Sequence, residues 1–434
     1  MKNKYLLITI TFLYYSFIAS AQNGKSLSLT EAIKIGLKQS DVSKIIKSKV
    51  TIAENALAVT KNTVYPTAKI SGEYMFLNQP TINSPLLNNA NNSNNTQPSV
   101  NQILLGQASV SMPVFVGFKI KNLVKESQNN LEATKENAKN DKEELAFQII
   151  TEYVNLYKAT ETVGLIKENL KSAQQRVTDF LSKEQNGLLA KNDLLKAKLQ
   201  ASTIEVSLEK AENNRANLNY QLAILLKLPE TTNINTTLSV FTKLPTITSS
   251  KDITRGDLEA LRYQKKAAKN ELKVAKSNYY PSLSISAGYI ALDAKNALTV
   301  TNAMNVGLGV SYDLSDIFKN KKAVNLAKSK IEVIDYTINN NINQIKIEID
   351  KAIKAYNLAI KTKQVYLKSV EQATENYRIV KDKFNNGLLD TNDLLDADVE
   401  QLQAKINVAY ANANIVESYY NILKAEGKLT TNIL

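Results

Sequence analysis

The chain has 434 residues, 54 Lys+Arg against 41 Asp+Glu for a formal charge of +13, 13 Gly, 8 Pro, no His and no Cys. The missing cysteine excludes disulfides, thiolate zinc sites, a cysteine nucleophile and a lipidated N-terminal Cys; the missing histidine excludes a His-based triad and the commonest general base. Only five of the basic residues are Arg, and the lysines are scattered along helical faces, which reads as solvated surface and not as a nucleic-acid patch.

The chain opens with a secretory pattern: basic Lys2 and Lys4, a mostly apolar run from Tyr5 to Ile18, and the small-residue cleavage site Ala19-Ser20-Ala21. Residues 1–21 are therefore expected to be a signal peptide, since about 14 apolar residues are too few to span a bilayer. Scarce Gly and Pro then favour long helices. A first helix is expected over Leu29–Thr63, with Thr30 as N-cap, ending at Tyr65-Pro66, where proline forces extended geometry. Alternation follows, with Ile70, Gly72, Tyr74 and Phe76 on one face and, after the Asn-rich stretch Asn78–Asn101, Ala108, Val110, Met112 and Val114.

A helix from Lys119 to Asn186 comes next, about 100 Å long at 1.5 Å per residue. From Leu145 to Glu184 its 3.5-residue series is apolar at ten of twelve positions, and Ala146, Ile150 and Tyr153 form an adjoining stripe. Two stripes let one helix pack against neighbours on both sides. A partner helix is expected over Asn192–Leu226, then a linker at 229–252.

The whole order then recurs. A helix over Ile253–Ser277 ends at Tyr280-Pro281. Ser282–Leu292 and Asn305–Leu314 alternate as strands with a small or polar face that includes Ser282, Ser284 and Ser286. The series Ile345 to Phe384 repeats the heptad at an offset of 200, with a second stripe at Ile353, Ile360 and Leu367. The expected organisation is a signal peptide at 1–21, a first structural repeat at 22–228, the linker at 229–252 and a second repeat at 253–434.

The clearest copy is the turn between long helices: "NGLLAKNDLLKA" at 186–197 and "NGLLDTNDLLDA" at 386–397. Gly187 and Gly387 suit the left-handed conformation that ends a helix, and Asn192-Asp193 and Asn392-Asp393 suit the cap of the next. The four leucines of the turn (Leu188, Leu189, Leu194 and Leu195, with Leu388 and Leu394 among those of the second copy) exceed what capping needs, so the turn reads either as hairpin geometry alone or as geometry plus a docking surface.

These turns, the Tyr-Pro-strand junctions and the segment "YYPSLSISAGY" resemble the TolC family of outer-membrane efflux channels over nearly the whole mature chain. The resemblance implies an α+β membrane protein that assembles as a homotrimer. Each chain would give four strands to a twelve-stranded β-barrel, continued by a long α-helical coiled-coil barrel in the periplasm. It also implies an export duct in the outer-membrane lipid, docked to a periplasmic adaptor and an inner-membrane pump, without cofactor or catalysis. By the same resemblance Asp393 and Asp396, with Asp193 in the first copy, belong to a gate at the periplasmic end. Leu389 stands where a basic gate residue occurs in that family, Phe384 where an aromatic hydroxyl occurs, and Lys196 where the second copy has Asp396. The competing readings are a secreted or periplasmic coiled-coil structural or adhesion protein, which explains one heptad stripe but not the strands, and the adaptor itself.

Overall fold

The structure, a computed structural model, describes residues 25–78, 100–238, 255–295 and 297–433. The expected signal peptide, most of the Asn-rich stretch and most of the linker lie outside these residues. In chain order the elements are β1 (Lys25–Ser28), α1 (Leu29–Gln39), α2 (Asp41–Asn62), β2 (Thr67–Phe76), β3 (Gln102–Val116), α3 (Lys119–Gln185) and α4 (Lys191–Leu225). They continue as β4 (Ile234–Thr237), α5 (Gly256–Ser277), β5 (Ser282–Ala294), β6 (Leu298–Ser311), α6 (Asp316–Asn385), α7 (Thr391–Ala425) and α8 (Leu429–Ile433). Two compact units result, and each draws on both sequence repeats: Val50–Lys135 with Glu259–Asn339, and Met1–Lys49 with Glu136–Leu258 and Asn340–Leu434.

The first of these units is built on one antiparallel sheet in the order β2-β3-β5-β6. Register gathers apolar positions from all four strands on one face. Ile70 pairs with Ala108 and Ala68 with Val110; Ala108 pairs with Tyr289 and Met112 with Ile285; Tyr289 pairs with Met304 and Ile285 with Leu308. Lys69, Ser71, Gln107, Ser109, Ser284, Ser286, Asn305 and Gly307 form the other face. The apolar face is bare in the single chain: Ile70 is 88% exposed and Val306 83%. Among the described residues β2 and β6 each keep one edge unpaired.

The strand bases turn tightly into helices. Gly117 has φ +61, and a Cβ there would sit 2.4 Å from the Ser277 carbonyl oxygen, so only glycine fits. β6 begins at Leu298 and ends at Ser311, earlier at both ends than the expected Asn305–Leu314. Pairing with β5 decides this: Leu298 and Thr299 lie opposite Ala294 and Asp293.

The second unit is helical, with the short strands β1 and β4 paired in parallel. Tyr153, fully buried on α3, ties them together. Its hydroxyl donates to the Leu27 carbonyl (2.6 Å) and accepts from the Thr237 N–H (2.8 Å). Burial and the distant charge of Glu31 hold that phenol above its ordinary pKa, against the pull of the Thr237 bonds. The heptad reading holds along α3: Leu145, Ile149, Leu156, Ala159, Ile166, Ala173 and Phe180 are buried, and so is the second stripe at Ala146, Ile150 and Tyr153. In α6, Ile345, Ala352 and Tyr356 are buried, while Leu367 of its second stripe is 49% exposed.

The expected single helix over Leu29–Thr63 is two helices. Ser40 interrupts it in extended geometry (φ −61°, ψ 152°). Its Oγ accepts from the Ser43 N–H at 3.1 Å, a local side-chain bond that competes with the helix. The N-cap is Ser28 and not Thr30, because Ser28 forms a complete capping box with Glu31.

Candidate functional site at the helical turns

Both long helices end in the same backbone device. The Gly187 N–H donates to the Glu184 carbonyl (2.9 Å) and the Leu188 N–H to the Lys183 carbonyl (2.8 Å). Gly387 to Phe384 (3.0 Å) and Leu388 to Lys383 (2.9 Å) reproduce this in the second copy. The glycines have φ +73 and +71, as the Schellman motif requires. Asn186 and Asn386 use their side-chain amides to satisfy one more terminal carbonyl each, on Ser182 and Asp382.

The helix starts differ between copies. α7 is capped by Asp390, whose Oδ1 accepts from the N–H groups of Asn392 (2.7 Å) and Asp393 (3.1 Å). Asp393 returns one bond, its Oδ2 accepting from the Asp390 N–H at 3.3 Å. Ala190 occupies the same position before α4 and makes no side-chain cap. The expected caps Asn192-Asp193 and Asn392-Asp393 therefore sit too late: the capping position is three residues before the second aspartate. Asp193 instead lies 3.8 Å from Lys196.

Behind the turns, Phe180, Leu194, Ala197 and Leu394 are buried together, with Leu189, Tyr377 and Phe384 packed partly against them. Phe384 stacks on Phe180 at 5.4 Å between centroids, 21° from parallel. Lys183 Nζ stands 5.6 Å from the Phe384 centroid. Leu394 and Leu189 were expected on the docking surface. Leu394, on the inward face of α7, is in the core, and Leu189, in the turn before α4, lies against it. Leu188 (77%) and Leu388 (71%) are exposed, as is Asp393. Asp396 is also exposed, whereas Leu389 and Asp193 are half-buried.

Deeper along the same helices lies a group that motif reading missed. Arg176 on α3 and Asp398 on α7 form an ion pair of 3.1 Å, with side chains only 8% and 4% exposed. Asn169 Nδ2 donates to Asp398 (3.1 Å), and Arg176 Nη2 also donates to the Tyr377 hydroxyl (3.2 Å). Arg176 Nη1 is buried without a partner among the described residues. Nothing local marked it: Arg378 also lies in a heptad helix, α6, and is exposed. Nearer the turn, Arg378 is held fully cationic by its bonds to Glu375, whose carboxyl is pulled below its ordinary range by the same contact. Among the described residues no group of acidic side chains is arranged to hold a metal ion.

Residues 253–428 match the family described as outer membrane efflux protein. That segment is an outer membrane efflux protein domain. Over 445 aligned residues it is 21% identical to the outer membrane efflux protein BepC of Brucella suis, covering 99% of this chain and 91% of that one. Solved outer-membrane channels share its fold. The CmeC channel of Campylobacter jejuni superposes with a TM-score of 0.78 at 18% identity, over 92% of this chain and 86% of that one. The open-state MtrE channel of Neisseria gonorrhoeae gives 0.74 at 16% identity, over 92% and 89%. The family match covers the second repeat. Residues 25–238 present a strand pair, a long helix and a shorter partner helix in the same order, with two helices before the strands where the second half has one.

Proposed function

We propose that this protein is the passive outer-membrane exit duct of a tripartite efflux or type I secretion system. The observation that carries the reading is the sheet. Four strands expose one continuous apolar face and two unpaired edges. Open edges are not tolerated in lipid, and four strands cannot close on themselves. Three copies supply twelve strands, enough to enclose a water-filled lumen with the polar faces inward. The long heptad helices continue the duct into the periplasm.

At the helical turns, Leu188 and Leu388 form the docking surface for a periplasmic adaptor, which links the duct to an inner-membrane pump. Asp393 and Asp396, three copies of each, ring the periplasmic mouth, with Asp193 and Phe384 behind them and Leu389 in place of a basic latch. The exposure of both leucines and both aspartates supports this division of roles. The duct carries out no chemistry of its own; the family is one of channels, and energy comes from the pump.

The deciding experiment is assembly. Membrane extraction should give a detergent-solubilised trimer that fractionates with the outer membrane, and planar-bilayer recording should show conductance. A soluble monomer without conductance would sink the duct reading and leave an elongated coiled-coil protein.

A further inference from the structure

The four strand–helix junctions meet at one end of the sheet, since Thr67 pairs with Ser111, Val116 with Ser282, and Ser282 with Ser311. That end is bound together by side chains. Phe118 meets Phe115 and Tyr280 edge to face at 5.3 Å and 6.4 Å, and Asn320 Nδ2 donates to the Ala275 carbonyl at 2.7 Å. Its charge is lopsided. Residues 117–126 carry Lys119, Lys121 and Lys125, and residues 312–322 carry Lys319, Lys321 and Lys322, all exposed. Lys61, Lys273 and Lys276 reach the same level on the incoming α2 and α5 and are exposed too. Against these nine lysines stand four carboxylates, Glu126, Glu271, Asp313 and Asp316, of which Glu271 is already paired with Lys330. Among the described residues, none of the nine ammonium groups is taken up in an ion pair.

Exposed aromatics sit among the lysines: Tyr65, Phe118, Tyr280 and Phe318. Phe118 is held at φ +64, a region a bulky side chain avoids, and its ring is 57% exposed. The chain has no Trp, and Tyr and Phe are what remain to hold a membrane–water interface.

We infer that this collar is a docking surface for anionic phospholipid headgroups of the periplasmic leaflet, with the aromatic rings seated at the acyl boundary and the lysines reaching to phosphate. The inference rests on the sheet being the membrane-spanning part. Charge complementarity selects the occupant: a net positive ring beside an apolar band attracts an anionic bilayer surface, and the attraction decays within a Debye length.

The test uses the full-length protein reconstituted into phosphatidylcholine vesicles containing spin-labelled phosphatidylglycerol or spin-labelled phosphatidylcholine. The fraction of motionally restricted label gives the relative association of each lipid. Wild type should favour phosphatidylglycerol by roughly threefold or more at low salt, and the preference should shrink at about 0.5 M salt. Lys119→Gln/Lys121→Gln/Lys321→Gln/Lys322→Gln should bring it close to one. Lys346→Gln/Lys351→Gln/Lys361→Gln/Lys368→Gln removes the same charge from the helical unit and should leave it intact. A preference unchanged in the first variant, or lost equally in the second, overturns the collar while the inserted protein still supports the duct. Wild type that restricts neither label has not entered the bilayer, and overturns both.

Discussion

Breaking the Arg176–Asp398 pair should cost far more than removing an exposed salt bridge. Both side chains are more than nine-tenths buried, so truncating one leaves the other as an uncompensated charge. Such truncations cost about 3–5 kcal/mol. The two ends differ in what remains. After Arg176→Met, Asp398 keeps the Asn169 amide. After Asp398→Leu, Arg176 keeps only the Tyr377 hydroxyl, with Nη1 already unpartnered. Asp398→Leu should therefore sit near the upper end, about 4–5 kcal/mol, and Arg176→Met near about 3 kcal/mol. The double variant Arg176→Met/Asp398→Leu replaces the pair with apolar volume and should return to within about 1 kcal/mol of wild type, or exceed it. Native-state hydrogen exchange of the solubilised protein reads this locally. Amides in 169–185 and 391–400 should exchange roughly 100-fold faster in Arg176→Met, roughly 1,000-fold or more in Asp398→Leu, and near wild type in the double, with β1 and β4 unaffected. Single variants that each stay within about 1 kcal/mol, with no coupling in the cycle, would mean that the pair is solvated in the assembled protein and the packing described here is wrong at this layer.

Asp390→Ala should destabilise the start of α7 by about 1 kcal/mol, and Ala190→Asp should stabilise α4 by a similar amount; exchange rates of the first-turn amides check both signs. Charged substitution at Leu188 or Leu388 should abolish efflux complementation at normal trimer yield, whereas Leu394→Ala, which opens a cavity, should lower stability by about 2–5 kcal/mol; complementation alongside thermal unfolding separates the two classes. In bilayer recordings, Asp396→Ala should reduce both cation selectivity and block by multivalent cations, because rings of acidic side chains favour cations. Wild-type selectivity in the double Asp393→Ala/Asp396→Ala channel would remove these residues from the lumen. Deleting Asn88–Asn95, outside the described residues, should leave trimer formation intact on native gels, as long surface loops cost little to shorten.

Much of this protein is written in local periodicity. Period 3.5 from Leu145 to Phe180 located the buried stripe of α3, period two located the strands and their apolar face, and Gly187 and Gly387 marked both helix ends. Each is a property of neighbours in the chain, so a sequence displays it directly. Helix starts were less legible: Ser28 and Asp390 won the caps from Thr30 and from Asn392-Asp393, because which of several polar residues turns back on the backbone depends on a shift of one or two positions. Partner choice was not legible at all. Leu195 and Leu395 occupy the same place in the same motif, yet one is 53% exposed and the other 9%. The same asymmetry separates exposed Lys198 from buried Asp398. α7 buries a wider face than α4, and within that face Asp398 meets Arg176, more than 200 residues earlier in the chain. Nor does any local pattern announce that β1 and β4 lie side by side under the Tyr153 hydroxyl. Periodicity determines which face of an element is apolar; only the packed fold determines what that face meets, since burial and ion pairing are decided between segments that the chain keeps far apart.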